Sequence, residues 1–470
     1  MEWASEGRAR RRRPLHYTLA VRTLASPTAC WGNTPVQTCL LARPEKRRDL
    51  AELLASPPRG SLISRGLGRS YGDASLNENA GVVLHERLNR FMAFDPATGT
   101  LECEAGASLS DIIDVFLPRG YFPSVTPGTR FVTVGGMIAA DVHGKNHHAD
   151  GSVASFLDSF SLLTPARGEL TCSRDENADL FLATLGGMGL TGIITRARLR
   201  LRKVESAYVN VTEKRAANLE ECAALLQGDF AKFRYSVAWI DCLAGGRRLG
   251  RSVVMGGEHA GAHEVPSSSA RTPLAAPPAR GRSVPFFMPG ATLNSLTCRA
   301  FNATYYRAHP DARKISPYHS FFYPLDAVKH WNRIYGRRGF QQYQVVIPFE
   351  AGVGALAEIL KQISGSGRAS FLAVLKTFGP ESGGLLSFPR PGWTLALDLP
   401  NSRGLNEFLS TLDALVVKHK GRRYLAKDAG MTREHFEAMY PRLPEFRAIK
   451  SRVDPEAKVA SSLGRRLGLS

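Results

Sequence analysis

Long apolar runs and paired cysteines are what this 470-residue sequence lacks. No window approaches about 18 uninterrupted apolar residues, so a membrane-spanning helix is not expected. The seven cysteines lie far apart and form no CxxC pair, which indicates buried free thiols in a reducing compartment. With 43% hydrophobic and 22% charged residues, the composition excludes disordered, fibrous and small disulfide-stapled proteins. A globular protein of two or three domains is expected from the length.

Acidic residues are also few, 42 against 61 basic ones, which gives a formal net charge of +19. Such an excess indicates anionic partners: nucleic acid, phosphorylated ligands or an acidic membrane surface. Residues 1–17 contain Arg8 and a run of four arginines, but the stretch that follows is too short and too polar for a signal peptide. We therefore expect a basic N-terminal arm that is solvated or contacts anionic lipid weakly. Alternating arginines at 196–202 indicate a solvated strand face, because the interleaved aromatics of a nucleic-acid surface are absent.

Apolar residues follow the strand period and the helix period in turn along the chain, as in mixed α and β folds. Residues 109–117 have helical spacing, Ser108 and Asp111 can form a capping box, and Pro118 ends the helix. Residues 259–285, rich in Ser, Ala, Pro and Arg, predict a linker or mobile loop that cannot build a core. The other expected elements are strands at 101–105, 156–163, 169–172, 194–202, 340–348, 371–378, 393–400 and 423–427, a helix at 405–416 and a short helix ending at Met439.

Glycine is concentrated in three clusters before residue 195. The first is the sequence RGLGRSYGD at 65–73, which matches neither GxxxxGK[ST] nor GxGxxG and so argues against a P-loop NTPase and a standard NAD fold. Small residues let backbone N–H groups converge on a phosphate. Further clusters follow at 128–136 and 186–192. Crossing strands would explain one cluster, whereas three indicate backbone packed around a long flat ligand.

The sequence DVHGKNHH at 141–148 suggests a metal site at first sight. Gly144 and Asn146 disfavour a helix that would bring His143 and His147 together, and no CxxC or HExxH partner exists. No metal site is therefore predicted. We expect His143 to face the bound ligand because it follows a Gly-Gly cluster, and His147 and His148 to be polar loop residues.

Several motifs in matching order carry a family resemblance. RGLGRSYGD, TPGTRFVTVGG, DVHGKNHH, GGMGLTGII and YLAKD together resemble the FAD subunit of decaprenylphosphoryl-β-D-ribose 2′-epimerase, within the vanillyl-alcohol oxidase/p-cresol methylhydroxylase flavoprotein superfamily. The resemblance runs from about Trp31 to the C-terminus and omits the basic arm and residues 259–285.

The resemblance implies an α+β fold: a two-domain FAD-binding fold of the vanillyl-alcohol oxidase/p-cresol methylhydroxylase type, with a substrate domain built on an antiparallel sheet. The FAD-binding domain is then split by the substrate domain. The expected divisions are 1–17 for the basic arm, 18–205 for the first part of the FAD-binding domain, 206–420 for the substrate-binding domain with a flexible loop at 259–285, and 421–470 for the C-terminal part of the FAD-binding domain.

The resemblance also implies FAD as the cofactor. Many relatives link the flavin covalently to a histidine just before the serine of the glycine-rich loop, and Arg69 stands there, so non-covalent FAD is expected. The positions that match the family's FAD contacts are Arg65, Gly66, Leu67, Gly68, Arg69, Ser70, Tyr71, Gly72, Asp73, Gly128, Thr133, Val134, Gly135, Gly136, Ala140, Val142, His143, Ile194 and Tyr424.

The activity implied is oxidation of the ribose 2′-hydroxyl of a polyprenyl-phosphoryl-β-D-ribose to a ketone. A separate NAD(P)H-dependent short-chain reductase would complete epimerisation to the arabinose donor for cell-wall polysaccharide. Lys427 matches the family lysine at the substrate hydroxyl, and its plain alternative is a solvated Lys427–Asp428 pair. Tyr71 and His143 are matched as catalytic neighbours of the flavin. Gln344, Lys376 and Lys427 are candidate substrate ligands, although Gln344 and Lys376 would equally fit the polar face of a sheet.

One position departs from the family pattern, because Ala396 stands where some members carry cysteine. Thiol chemistry is excluded there, and the identity of the glycolipid is put in doubt. The resemblance further implies an anionic membrane surface as a partner, no nucleic acid, and a cytoplasmic location or a peripheral one at the bacterial inner membrane. Two alternatives are an alditol or sugar-lactone oxidase, against which Arg69 counts, and a basic nucleic-acid-binding protein, for which no reader motif is found.

Overall fold

The protein is described from a computed structural model that covers residues 21–278, 281–290, 292–368 and 370–470. The predicted basic arm lies outside the described residues. The strands are β1 (Thr23–Ala29), β2 (Val36–Ala42), β3 (Leu62–Arg65), β4 (Gly81–Leu84), β5 (Phe91–Asp95), β6 (Thr100–Glu104), β7 (Tyr121–Pro123), β8 (Leu157–Thr164), β9 (Gly168–Cys172), β10 (Ile193–Lys203), β11 (Tyr208–Ala216), β12 (Tyr235–Ile240), β13 (Ser252–His259), β14 (Arg282–Ser283), β15 (Ala312–Pro317), β16 (Val328–Lys329), β17 (Phe340–Pro348), β18 (Ala373–Phe378), β19 (Gly392–Pro400) and β20 (Arg422–Arg423).

Helices alternate with these strands and cover their faces. They are α1 (Arg47–Ala55), α2 (Leu109–Phe116), α3 (Val134–Ala139), α4 (His147–Asp150), α5 (Ala178–Thr184), α6 (Leu219–Gln227), α7 (Ser295–Ala308), α8 (Tyr318–Phe322), α9 (Gly352–Gly365), α10 (Leu405–Lys418), α11 (Arg433–Met439), α12 (Leu443–Val453) and α13 (Ser462–Leu467). Within the described residues, no helix combines the length and the apolar character needed to cross a membrane.

The first sheet has the strand order β1-β2-β4-β3 and is joined by the end of the chain. The Leu62 N–H donates to the Lys458 carbonyl at 2.8 Å, and the Ala460 N–H donates to the Leu62 carbonyl at 2.9 Å. Residues near position 460 therefore extend the edge formed by β3. The domain boundaries stay a prediction, although this contact is what a domain split across both ends of the chain requires.

The second sheet has the order β5-β6-β10-β8-β9, with β7 paired to β10. Its strands and α2 confirm the predicted elements at 101–105, 156–172 and 194–202, and Ser108 and Asp111 form the capping box. Three of the four alternating arginines of β10 pair with acids: Arg196 with Glu102, Arg200 with Asp158, and Arg202 with Asp150. Neighbouring acids therefore balance three of the four charges in this row, and Arg198 is exposed.

The third sheet has the order β15-β11-β13-β12-β18-β19-β17-β20 and contains the three predicted strands of the second half. Because β18, β19 and β17 are antiparallel neighbours, side chains opposite one another share a face. The register pairs Gln342 with Asp398, Gln344 with Ala396, and Lys376 with Thr394. The polar residues of these three strands therefore form one surface.

Two local predictions are wrong. The chain after β20 leaves the sheet and forms a 3₁₀ turn at Leu425–Lys427, so Lys427 lies on a turn and not on a strand. Tyr424 begins this turn, and its N–H donates to the Gln344 carbonyl at 3.0 Å. His147 and His148 are not loop residues, because both lie in α4, and His147 is buried there.

The segment 259–285 is more ordered than a simple linker. Its first residue ends β13, a 3₁₀ turn spans Ser267–Ser269, and Val265 is buried in an apolar cluster with Tyr208. Val265 packs into a cluster formed mainly by other elements, which agrees with a segment that cannot build a core of its own. Its flexibility stays a prediction.

Candidate active site

A cavity of about 330 Å³ lies between the glycine-rich loop and the polar face of the third sheet. This volume falls within the range of small-molecule sites. The walls come from the loop after β3, the segment from Thr126 to Lys145, strands β17 to β19, and the turn that carries Lys427. Elements from both ends of the chain and from its middle therefore meet at one site.

Most of the residues predicted from the sequence line this cavity. Those from the predicted cofactor and catalytic sets are Gly66, Leu67, Gly68, Arg69, Ser70, Tyr71, Gly128, Thr133, Gly136, Ala140, Val142, His143, Tyr424 and Lys427, and the two further predicted substrate ligands are Gln344 and Lys376.

Six predicted cofactor residues lie behind the cavity wall. The Arg65 guanidinium donates to the Ala29 carbonyl at 2.7 Å, and Asp73 pairs with Arg466. Val134 and Ile194 are buried in the apolar core. The remaining two are glycines packed against backbone: a Cβ on Gly72 would lie 1.8 Å from the Asp428 carbonyl oxygen, and one on Gly135 would lie 3.2 Å from the Ala105 carbonyl oxygen. These residues shape the wall from behind, and a direct role toward FAD stays a prediction for each.

Not every glycine of these clusters lines the cavity. A Cβ on Gly66 would lie 2.1 Å from Thr133 Oγ1, so only glycine allows the first loop to pack on the second cluster. Gly128 faces open space in the cavity wall. In the third cluster, a Cβ on Gly186 would lie 2.8 Å from the Ser387 backbone. That cluster packs against protein, and Met188 is its contribution to the cavity.

Arg69 follows Gly68 in the glycine-rich loop and lines the cavity. Its guanidinium stacks over Trp31 with 4.1 Å to the ring centroid and lies 5.2 Å from the Phe131 centroid. Its Nε is buried without a hydrogen-bond partner in the described structure. Burial lowers the pKa of Arg69 from its usual value. An unsatisfied guanidinium N–H at the cavity wall is a donor available to an anionic ligand.

His143 is held in one protonation state by its neighbours. The Gln344 amide nitrogen lies 3.0 Å from His143 Nε2 and 3.2 Å from Thr394 Oγ1. Because an amide nitrogen only donates, His143 Nε2 accepts and the ring proton lies on Nδ1, which has no partner among the described residues. Burial, followed by the charge of Lys376, lowers the pKa of His143 well below its usual value. The ring is therefore neutral.

The His143 ring is packed among aromatic rings, those of Phe378, Phe388 and Tyr424, at centroid distances of 4.7 to 5.6 Å. Among the residues that the structure describes, no group of three or more His, Cys, Asp or Glu side chains is arranged to hold a metal ion.

Lys427 is fixed between the glycine-rich loop and the sheet. The Tyr71 N–H donates to the Ala426 carbonyl at 3.0 Å, and Lys427 Nζ lies 4.1 Å from the centroid of the Tyr71 ring. Burial and the charge of Lys376 lower the pKa of Lys427, and the Asp398 carboxyl opposes this change. The solvated Lys427–Asp428 pair does not form, because the Asp428 carboxylate binds Arg466 and Arg423 instead.

Two further lysines line the same cavity. Burial lowers the pKa of Lys376 to about 8, and burial together with Lys376 lowers the pKa of Lys145 to about 7. Lys145 Nζ donates to the Phe322 carbonyl at 3.2 Å. Three amines therefore surround one cavity without an ion pair to a described residue, which is an environment that favours an anionic ligand.

The sequence did not single out several residues of this site. Lys145 lies between two histidines in the sequence DVHGKNHH, and this position could have indicated that it lines the site. Trp31 and Trp331 form the edge of the cavity, and their rings lie 5.7 Å apart. Nothing in the sequence linked them, since 300 positions separate them. Gln342 lines the cavity as well, and its partner Asp398 lies directly behind it.

The residues that line the cavity fit FAD. A glycine-lined opening admits a long cofactor, the free Arg69 Nε–H suits an anionic group, and the His143 and Tyr424 rings in the cavity wall suit contact with a flat ring system. Residues 39–173 match the family model described as an FAD binding domain. The chain is therefore an FAD-dependent oxidoreductase of mixed α and β structure.

Comparison with known proteins narrows this class. The chain is 39% identical over 446 residues to decaprenylphosphoryl-beta-D-ribose oxidase of Mycolicibacterium smegmatis, a match that covers 93% of this chain and 96% of that protein. It is 35% identical over 373 residues to an uncharacterized protein in the mprA 5′ region of Streptomyces coelicolor, covering 77% of this chain and 100% of that protein. Cytokinin dehydrogenase 7 of Oryza sativa subsp. japonica is 32% identical over 36% of this chain and 35% of its own length. The chain belongs to the decaprenylphosphoryl-β-D-ribose oxidase family, which confirms the predicted family.

Proposed function

We propose that this protein oxidises the ribose 2′-hydroxyl of a polyprenyl-phosphoryl-β-D-ribose to the 2′-keto sugar. The observation that carries the proposal is Lys427, an amine with a lowered pKa that lies against Tyr71 in a cavity lined by the FAD-binding loop. The activity named for the M. smegmatis relative supports the same substrate class.

The reaction removes a hydride from carbon and a proton from oxygen. Bound FAD supplies the hydride acceptor. The Lys427 amine accepts the hydroxyl proton, because burial makes the neutral amine accessible near neutral pH. The O–H bond breaks, an N–H bond forms on Lys427, and the carbon is left as a ketone. His143 stays neutral throughout and does not compete for the proton.

The polar face of the sheet holds the phosphorylated sugar. Lys376, with a pKa of about 8, is largely protonated at neutral pH and is the proposed ligand of the phosphate. Lys145 lies on the same cavity wall and adds a second amine. Gln344 donates its two amide N–H groups to His143 and Thr394, so its carbonyl oxygen can accept a hydrogen bond from a sugar hydroxyl.

FAD is proposed to bind without a covalent link. Arg69 occupies the position of the linking histidine, and its guanidinium stacks on Trp31. A guanidinium does not form the bond that an imidazole nitrogen forms with the flavin ring. Denaturation of the purified holoenzyme is expected to leave FAD in the supernatant, and flavin that stays with the precipitate would contradict this step.

The 2′-keto product suggests one partner, and the positive net charge of the chain suggests a second. A 2′-keto sugar needs hydride from a second source to become the arabinose epimer, which is the reaction of a separate NAD(P)H-dependent reductase. The net charge of +19 and the exposed Phe286 and Leu296 side chains support contact with an anionic membrane surface, where a polyprenyl chain resides. A cytoplasmic or peripheral inner-membrane location is proposed on the same grounds.

The decisive experiment is anaerobic bleaching of the flavin band. Polyprenyl-phosphoryl-β-D-ribose is expected to bleach the FAD of the holoenzyme stoichiometrically, and mass spectrometry should find a product two mass units lighter. The arabinose epimer, in which the 2′-hydroxyl lies on the opposite face, is the matched control and should bleach far more slowly. Rapid bleaching by free alditols or sugar lactones, with none by the lipid-linked sugar, would overturn the proposal.

A further inference from the structure

Asp398 is a buried carboxyl group placed directly behind the cavity. It lies on β19, is fully buried, and faces Gln342 across the register of β17 and β19. Its Oδ1 accepts from the Gln342 amide nitrogen at 2.5 Å, and its Oδ2 accepts from the Tyr335 hydroxyl at 3.4 Å. No Lys or Arg among the described residues forms an ion pair with it. A buried carboxyl group without an adjacent cation is costly and calls for an explanation.

A row of contacts leads from Asp398 to Lys427. It consists of two hydrogen bonds followed by an amine that lies over an aromatic ring. The Gln342 amide nitrogen that binds Asp398 also donates to the Tyr71 hydroxyl at 3.4 Å. The Tyr71 ring in turn lies 4.1 Å below Lys427 Nζ. Asp398 is therefore the carboxyl end of a row of side chains, Asp398–Gln342–Tyr71–Lys427, of which the last three line the cavity.

We propose that Asp398 is a positioning residue for the oxidation, which orients Gln342 and Tyr71 and supplies the negative charge that balances Lys427 after it has taken up the hydroxyl proton. This inference rests on the proposed function, which gives Lys427 its role. Because the carboxylate draws both N–H groups of Gln342 toward Asp398 and Tyr71, the Gln342 carbonyl oxygen is left as an acceptor for a substrate hydroxyl.

The charges and pKa directions of the surrounding groups support the proposed role of Asp398. Burial raises the pKa of Asp398, and the Gln342 hydrogen bond and the charge of Lys427 oppose this change. The groups that face the pair are Tyr71 from the glycine-rich loop, Tyr335 from the 3₁₀ turn Trp331–Tyr335, His143 and Lys376. Burial raises the pKa of both tyrosines and lowers that of His143, so these three stay neutral. Lys376 repels Lys427 and leaves Asp398 as its balancing charge.

The test compares Asp398→Asn with Tyr335→Phe in the FAD-loaded protein without substrate. Asparagine keeps the shape and removes the charge, so the midpoint of Lys427 acetylation against pH is expected to fall by about one pH unit. Phenylalanine removes one hydrogen bond and keeps the charge, so the midpoint should move far less. Lys376, quantified by mass spectrometry in the same digests, is the internal control and should keep its midpoint.

An unchanged Lys427 midpoint in Asp398→Asn, or an equal shift at Lys376, would overturn the proposal. The FAD dissociation constant is expected to stay within about twofold, because Asp398 does not line the cavity. Flavin bleaching by the lipid-linked ribose should slow at least tenfold. The acetylation midpoint needs no sugar, so a shift without any bleaching in the unaltered enzyme would retain the Asp398–Lys427 pair and reject the proposed substrate.

Discussion

Replacing Lys427 by alanine is expected to slow flavin reduction by the lipid-linked ribose by about 10²- to 10⁴-fold, the usual contribution of a general base. The amine is the basic group of the cavity that lies on the aromatic ring of Tyr71, and its lowered pKa suits proton uptake near neutral pH. His143 cannot replace it, because its Nε2 is bound to Gln344 and its pKa is well below neutral. Stopped-flow absorbance of the flavin band under anaerobic conditions measures the rate.

The pH dependence of the flavin-reduction rate tests the same role of Lys427. Because the neutral amine is the proposed proton acceptor, the rate should rise with pH through the pKa of Lys427 and then level off. Lys418→Ala is a matched control, since Lys418 forms an exposed ion pair with Glu358 far from the reaction. It should bleach at the unaltered rate. A Lys427→Ala variant that binds FAD and bleaches at that same rate would remove Lys427 from the mechanism.

Much of this site could be predicted from sequence because its parts are local. The glycine-rich loop is one continuous stretch, and its close packing on Thr133 explains why Gly66 carries no side chain. Lys427 was found through a short motif, but its placement on a strand was wrong. The chain turns at Tyr424, whose N–H donates to the Gln344 carbonyl. The spacing of apolar residues along the chain cannot predict such a long-range contact.

Other parts of the site depend on register, which sequence patterns leave open. Alternation along β17, β18 and β19 predicted three half-polar strands. Whether Gln342 opposes Asp398, and Lys376 opposes Thr394, depends on the lengths of the connections and on the packing of the buried face. The same limit applied to α12 and α13, short helices near the C-terminus that were not predicted. α12 contacts α5, and the Ser462 N–H of α13 donates to the Leu76 carbonyl at 2.8 Å, so both helices depend on partners distant in sequence.

Arg466 joins the glycine-rich loop to the segment that follows the turn carrying Lys427. Its guanidinium donates to Asp73 at 2.7 and 3.0 Å, to Asp428 at 2.9 Å, and to the Met431 carbonyl at 2.7 Å. Asp428 is fully buried, and its backbone carbonyl presses on Gly72 so closely that no Cβ could fit there. Arg466 therefore ties the glycine-rich loop, through Asp73, to the segment beside Lys427, through Asp428.

The charge of Asp428 depends on this contact. Burial raises the pKa of the Asp428 carboxyl, but Arg466, Arg423 and two backbone N–H groups outweigh it and hold the pKa below its usual value. A depressed folded-state pKa contributes stability that is present above the unfolded value, about 3.9, and is lost as pH falls through the folded-state value. The contribution of Arg466 to stability is therefore largest near neutral pH.

Arg466→Ala is expected to destabilise the protein by about 3–5 kcal/mol at pH 7, because it leaves two buried carboxylates with too few partners. It should also weaken FAD binding, since the loop loses its tie at Asp73. Thermal unfolding and FAD release by fluorescence measure the two effects. Arg465→Ala is the control, because Arg465 is exposed and makes one long hydrogen bond, to Ser462 at 3.4 Å.

The control should change stability by less than about 0.5 kcal/mol. The difference between Arg466→Ala and the unaltered protein should shrink as pH falls below about 4, because protonated carboxyls no longer need the guanidinium. Equal unfolding temperatures for the two arginine variants at pH 7, or a difference that grows in acid, would contradict the structural role of Arg466. A stable Arg466→Ala variant that loses FAD would instead place the whole effect of Arg466 on the glycine-rich loop.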